Sequence, residues 1–278
     1  MTVSLGRFGI WQGGYRLTPE FAAGIESLGY GTIWIGSSPP GDLTLAEQLL
    51  DATTRIAVGT SIVNVWKEDP ATVAASYHRL EERHPGRFLL GIGAGHPEQS
   101  AAYRSPYEAV VAYLDALDAG GVPTDRRALA ALGPRMLRLA AERTAGALPY
   151  LVTPDHTRSA RSILGAGALL APEHKVVVEA DPVRAREIGR ARVAQPYLGL
   201  VNYTNSLRRL GYTDDDLTPP GSDRLVDDLA VHGTPDAIVK ALTAHFDAGA
   251  DHVAIQLLAG PDDDLLAKHT ELAATLPR

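Results

Sequence analysis

Eight short apolar runs recur along the chain, each followed by a longer amphipathic run, and this alternation leaves few folds open. The runs lie at 6–11, 32–36, 55–65, 87–93, 128–132, 149–152, 174–179 and 252–258. Runs of this length without strict polar alternation suit strands buried on both faces. The segments between them carry helix starts. Thr18-Pro19, Asp69-Pro70, Thr153-Pro154, Asp181-Pro182 and Thr234-Pro235 each place a capping oxygen before a proline whose φ is preset for the first turn. Gly29, Gly86 and Gly249 read as helix stops. Strands that alternate with helices pair in parallel, because each return needs a crossover. Eight of them predict an α/β fold of the (β/α)8 TIM-barrel class, a single domain over 1–278. The polar, turn-rich stretch at about 185–230 does not fit one strand–helix unit and is expected to be a helical excursion between strands seven and eight.

A length of 278 residues suits one barrel. The net charge of −7 gives no overall pull toward nucleic acid or anionic lipid. The absence of cysteine excludes disulfides, thiolate metal sites and a cysteine nucleophile. The N-terminus lacks the basic-then-apolar pattern of a signal peptide, and no apolar run reaches the roughly 20 residues of a membrane helix, so a cytoplasmic protein is expected. No His/carboxylate spacing predicts a metal, and neither a Walker loop nor a G-x-S-x-G elbow is present. The acidic run Asp214–Asp216 reads as a solvated helix start.

Reacting groups of a parallel barrel sit at the C-terminal ends of its strands. That rule selects Trp11, Ser37, Ser38, Asn64, Trp66 and Gln256 as the substrate pocket, and the Gly93-Ala94-Gly95-His96 turn after strand four. The run Gly91-Ile92-Gly93-Ala94-Gly95 lacks the third glycine of a dinucleotide fingerprint and sits on the wrong strand for one. Glycines there either make a tight turn or let a flat ring approach the backbone. His96 is a candidate proton carrier or a backbone-bonded loop histidine. Thr153, His156, Thr157 and Arg158 either hold a phosphate at a helix N-terminus or simply cap that helix. His252, at the far end of strand eight, is expected to be structural. Aromatics, glycines and hydroxyls with few carboxylates fit a bound organic cofactor better than metal-assisted hydrolysis.

The segments RIAVGTSIVNVW (55–66), PGRFLLGIGAG (85–95), LGPRM (132–136), PYLVTPDHTR (149–158) and GADHVAIQ (249–256), in this order, resemble the luciferase-like monooxygenase superfamily, and within it the oxidoreductases of coenzyme F420. The resemblance implies a non-prolyl cis bond at Ser61-Ile62 behind the cofactor ring. It implies Gly93, Ala94 and Gly95 at the ring edge, backbone N–H groups from the loop Gly133-Pro134-Arg135-Met136 (Pro134 itself having none), and Thr153 to Arg158 at the phosphate side. Hydride exchange between the deazaflavin and a small organic substrate would follow, with His96 moving the proton. The alternatives are an FMN-dependent monooxygenase fed by a reductase partner, and a cofactor-binding barrel without turnover. The family's sugar-phosphate dehydrogenases carry a histidine where this chain has Gly36-Ser37-Ser38 and a glutamate where it has His96, which argues against that reaction. The chain is also short for the superfamily, without its usual insertion after strand four. Homodimers of this superfamily suggest the second and third helices, 43–53 and 69–84, as a contact surface.

Overall fold

The computed structural model describes residues 3–95, 105–260 and 263–277. Its strands are β1 (Phe8–Gly13), β2 (Thr32–Gly36), β3 (Ala57–Thr60), β4 (Val63–Asn64), β5 (Phe88–Gly93), β6 (Arg127–Leu129), β7 (Gly146–Ala147), β8 (Leu169–Leu170), β9 (Glu173–Val178), β10 (Ala230–Gly233) and β11 (Val253–Leu257). All ladder pairings between them are parallel, in the order β10-β9-β11-β1-β2-β3-β5-β6-β7-β8, with β4 continuing β3 beside β5. Strands β8 and β9 are two parts of one extended segment kinked at Ala171-Pro172. Ala171 N donates to Ala147 O and Glu173 N to Pro149 O on one side, and Ala254 N donates to Pro172 O on the other. That segment closes the ring, and β3–β4 and β8–β9 each count as one barrel strand. The result is the expected eight-stranded barrel with β10 as an extra strand on the outer end of β9.

The five Thr/Asp-Pro starts form as expected. Thr18, Asp69, Thr153, Asp181 and Thr234 each accept a backbone N–H of the first helical turn, at α1 (Pro19–Ser27), α3 (Pro70–Arg83), α6 (Pro154–Leu164), α7 (Pro182–Ala194) and α11 (Pro235–Asp247). Helix α2 (Thr44–Asp51) precedes strand three, and α4 (Pro106–Ala119) and α5 (Pro134–Arg143) flank strand five. Between α7 and β10 the chain forms α8 (Val201–Arg209), α9 (Asp214–Leu217) and α10 (Asp223–Leu229), around their own apolar cluster of Val193, Tyr203, Leu207, Leu225 and Leu229. Asp214–Asp216 opens α9, where Thr213 and Asp216 form a capping box. Helix α12 (Leu265–Ala273) ends the described chain, and no described helix is long and apolar enough to cross a membrane.

One expected strand is displaced. The apolar run 149–152 was expected to be strand six, but the strand is Gly146–Ala147 and the run lies beyond it. The reason is local: Leu151 adopts φ 56, which no strand accommodates, and its N–H donates to the Glu173 carboxylate at 2.9 Å instead of to a ladder. The third run also divides into β3 and β4, at a cis Ser61-Ile62 peptide bond.

Alternation along each strand builds two cores. Leu5, Trp11, Trp34, Ala57, Leu89, Ala128, Leu148, Ala171 and Ala254 fill the barrel interior. The intervening residues, such as Ile10, Ile33, Val58, Leu90 and Ile255, pack outward against the helices. Glycine makes room for the two interior tryptophans: a Cβ on Gly59 would lie 2.5 Å from the Trp34 ring, and one on Gly36 would lie 2.1 Å from the Trp11 ring. His252 is structural as expected. Its Nε2 accepts from Trp34 Nε1 at 3.0 Å, so its Nδ1 donates to Gly6 O at 2.8 Å.

A second group of buried imidazoles lies outside the barrel. His245 of α11 contacts Thr157 Oγ1 at 2.8 Å and His174 Nδ1 at 3.0 Å. Burial lowers His174, His252 and His269 each to about pKa 4 from an ordinary value of 6.5. The unfolded chain therefore takes up protons between pH 6.5 and 4 that the folded chain refuses, so stability is present in full above 6.5 and is lost as pH falls toward 4. Each site is worth on the order of 3 kcal/mol across that window. The expected outcome is a thermal midpoint, followed by circular dichroism at fixed ionic strength, that drops steadily from pH 7 to pH 4.5. A midpoint unchanged over that range would show that these imidazoles protonate as readily in the fold as out of it.

Candidate functional site

The C-terminal mouth of the barrel has two walls. The first is built by strands three to five. Ser61 follows β3, where its N–H donates to Ile35 O at 2.8 Å, and the cis bond to Ile62 separates β3 from β4. Strand β5 ends in Gly93, where a Cβ would lie 2.8 Å from Ala130 Cβ and 3.2 Å from Ile62 Cγ1, so Ile62 and Gly93 face each other. Asn64 is buried, accepts from Trp66 N at 2.9 Å, and tucks under Gly95, whose φ of 60 and lack of Cβ permit that approach. Ala94 is half-buried beside it. The indole N–H of Trp66 is buried with no partner. His96 lies outside the described residues.

Next to this wall, α5 begins at Gly133, with no side chain capping its first turn. A Cβ on Gly133 would meet nothing within 4 Å among the described residues. Pro134 and Arg135 are exposed, Met136 is half-buried, and the Arg135 guanidinium stacks 3.6 Å from the centre of the Tyr107 ring. Helix α6 offers less to an anion. Thr153 caps it, Thr157 is fully buried against His245, and Arg158 pairs with Asp155 at the surface. His156 Nε2 must donate to Leu132 O at 3.0 Å, which leaves Nδ1 as a bare, unpartnered acceptor, and burial lowers its pKa. At α6 these side chains are engaged in capping and in buried hydrogen bonds, whereas the first turn of α5 has no side-chain cap.

The second wall encloses a cavity of about 390 Å³ between β1, β9, β11 and α7. Of the residues expected to shape a substrate pocket, Trp11, Ser37 and Gln256 line it. Ser38, Asn64 and Trp66 do not. Ser37 and Ser38 both adopt left-handed backbone, φ 65 and φ 51, at the end of β2. Such conformations cost of order 1–3 kcal/mol each and cluster at functional sites. The cavity also exposes residues that the sequence reading passed over. Lys175 and Glu173 are 1% and 2% exposed, paired at 3.1 Å on the inward face of β9. Lys175 Nζ lies 4.0 Å from the centre of the Tyr150 ring and 5.3 Å from that of Tyr197. Tyr197 donates to Tyr150 at 3.0 Å, and Tyr150 donates to Gln256 Oε1 at 2.9 Å. Trp11 touches Tyr150 with ring centres 5.3 Å apart, which joins the two walls. Burial pushes the Glu173 carboxyl up and the Lys175 ammonium down, each toward neutrality, against their mutual attraction. The available signal was the Glu-x-Lys spacing in EHKVVV: at period two, both charges face the barrel interior.

Residues 5–119, from before β1 through α4, match the luciferase-like monooxygenase family. A curated relative, 4-hydroxyprotoasukamycin monooxygenase of Streptomyces nodosus subsp. asukaensis, is 32% identical over 83 residues, which is 27% of this chain and only 22% of that protein. The whole chain shares its fold with an F420-dependent secondary alcohol dehydrogenase solved with an F420–acetone adduct, at TM-score 0.75 and 15% identity, covering 100% of this chain and 99% of that one. It shares it also with the coenzyme F420-dependent tetrahydromethanopterin reductase of Methanopyrus kandleri, at TM-score 0.69, 17% identity and 99% of both chains. The FMN-bound oxygenating constituent of 3,6-diketocamphane monooxygenase from the CAM plasmid of Pseudomonas putida matches at TM-score 0.69 and 17% identity, over 98% of this chain and 99% of that one. At these identities the likeness is one of fold.

Removing one member of a buried ion pair strands the other charge, at a cost of about 3–5 kcal/mol, whereas replacing both with neutral groups of similar size is close to neutral. Lys175→Met alone is therefore expected to lower the urea midpoint strongly. The pair Lys175→Met with Glu173→Gln is expected to recover most of it, because Gln keeps an acceptor for Leu151 N. Additive losses in that double-mutant cycle would show that the two side chains are not coupled.

Proposed function

We propose that the chain is an oxidoreductase that binds the deazaflavin F420 against the wall of strands three to five and acts on a small organic substrate held in the cavity of the second wall. The observation that carries the reading is the glycine-ended mouth. Gly93 and Gly95 leave the wall beside Ile62 and Asn64 without side-chain bulk, and Gly133 opens onto free space at an uncapped helix N-terminus. A flat ring with an anionic tail suits such a surface: the ring needs close backbone approach, and the tail needs free N–H groups and a cation. Ser61, Ile62, Gly93, Ala94 and Gly95 would border the ring. Gly133 to Met136 would hold the phosphate, with Arg135 as its cation. When bound, the cofactor supplies the two-electron chemistry; the chain's own residues orient the substrate, exclude water and move the proton. His96, next in sequence to Gly95, is the proposed proton carrier.

The fold is shared with proteins named for F420 and with one solved with FMN, so the decisive measurement is a paired titration of the purified chain with both. Saturable F420 binding with weaker FMN binding is expected. Tight FMN binding without F420 binding would replace this reading with a monooxygenase supplied by a separate reductase, and no affinity for either would overturn both. Gly133 has an ordinary φ of −91 and open space around it, so Gly133→Leu is expected to leave the circular dichroism spectrum unchanged while weakening F420 binding by about tenfold, ~1.4 kcal/mol. Unchanged affinity would remove the N-terminus of α5 from the site.

A further inference from the structure

The cavity of the second wall has a chemical character that narrows what can fill it. Its lining, among the described residues, includes the cations Arg16, Lys175 and Arg192 and no carboxylate. Glu173 lies behind Lys175 and offsets one of these charges, which leaves an excess of two positive charges around a space of about 390 Å³. Arg16 and Arg192 have no carboxylate partner among the described residues, and Arg192 stands exposed on α7 at the rim. Deeper in, the charged donor of the lining is Lys175, with Trp11 and Gln12 beside it on side chains 8% and 5% exposed. Lys175 has three N–H bonds, and one is used on Glu173. Two amide oxygens nearby are engaged: Gln12 Oε1 takes Gly13 N, and Gln256 Oε1 takes the Tyr150 hydroxyl. A ligand oxygen brought to Lys175 would take an N–H bond that the ion pair leaves unused.

We propose that this cavity takes a small organic carboxylate bearing a second acceptor oxygen, such as a 2-oxo acid, with the carboxylate at Arg192 and Arg16 and the second oxygen at the Lys175 end. The aromatic faces of Trp11, Tyr150 and Tyr197 flank the carbon skeleton. A neutral hydrocarbon or a cation would leave the donors unpaired or meet two uncompensated guanidinium groups. The assignment of this ligand as the substrate rests on the oxidoreductase reading; the binding itself does not, because it is measured on the cofactor-free chain.

The test uses three probes followed by tryptophan fluorescence, since Trp11 lines the cavity, and by calorimetry. Benzoylformate carries both the charge and the oxo group, its methyl ester lacks the charge, and phenylacetate lacks the oxo oxygen. Benzoylformate is expected to bind saturably and about tenfold more tightly than either of the others. Arg192→Met should bring benzoylformate down to the affinity of the ester without changing the ester. The charge-neutral pair Lys175→Met with Glu173→Gln, which avoids a stranded buried charge, should bring it down to the affinity of phenylacetate without changing phenylacetate. Equal binding of acid and ester, no saturable binding by any probe, or full affinity in the Arg192 variant would each overturn the proposal. F420 binding in a chain that ignores all three probes would sink the substrate class and leave the cofactor reading standing. Probe binding in a chain that ignores F420 would do the reverse.

Discussion

The barrel holds together through a few backbone hydrogen bonds around the kinked segment that runs from β8 into β9. Pro172 has no N–H to give, yet its carbonyl accepts from Ala254 while the residues on either side donate to strand six. The two ends of the sheet meet across this segment, and its register fixes which side chains point inward. With Ala171 inside, Glu173 and Lys175 are inside as well, and His174 and Val176 turn toward the helices. A slip of one residue would send two charges into the helix layer and two apolar or neutral side chains into the mouth. The polar floor of the cavity and the imidazole cluster beneath α11 are therefore two results of one register.

The interior is also divided by height. Trp34 closes the lower barrel over Gly59, and Trp11 stands one layer higher over Gly36. Each large ring needs an absent side chain on the neighbouring strand. At the mouth the same device is used without a ring to fill it: Gly93 and Gly95 border the strand-four wall with no bulk of their own, while Trp11 and Tyr150 mark where that wall meets the cavity.

Much of this was legible in the chain. The cap–proline pairs fixed five helix starts to the residue, because both halves of the signal act through local geometry that tertiary contacts rarely override. Trp11, Ser37 and Gln256 were reachable from the rule that strand ends carry chemistry. Strand six was not, because PYLV is apolar whether it lies in a ladder or is merely buried, and the Leu151–Glu173 bond that decides the matter spans 22 positions. The Lys175–Glu173 pair was missed although its Glu-x-Lys spacing is local, because the run taken as the strand, HKVVVE, begins one residue after Glu173. Thr157 and His156 were open between holding an anion and belonging to a capped helix start, and only the structure shows their hydrogen bonds to His245 and Leu132.

The excursion between strands seven and eight has a consequence for how a barrel of this kind could diversify. Helix α7 forms one side of the cavity through Ile188, Ala191 and Arg192, and it packs on a second apolar cluster that includes Val177 of β9 and Leu258 beyond β11. That side of the cavity is thus carried by a segment whose apolar cluster includes no residue of β3, β4 or β5, the strands of the glycine-ended wall. Substitutions along α7 can alter size and charge selectivity while the opposite wall keeps its shape, so ligand choice and cofactor choice are free to drift independently.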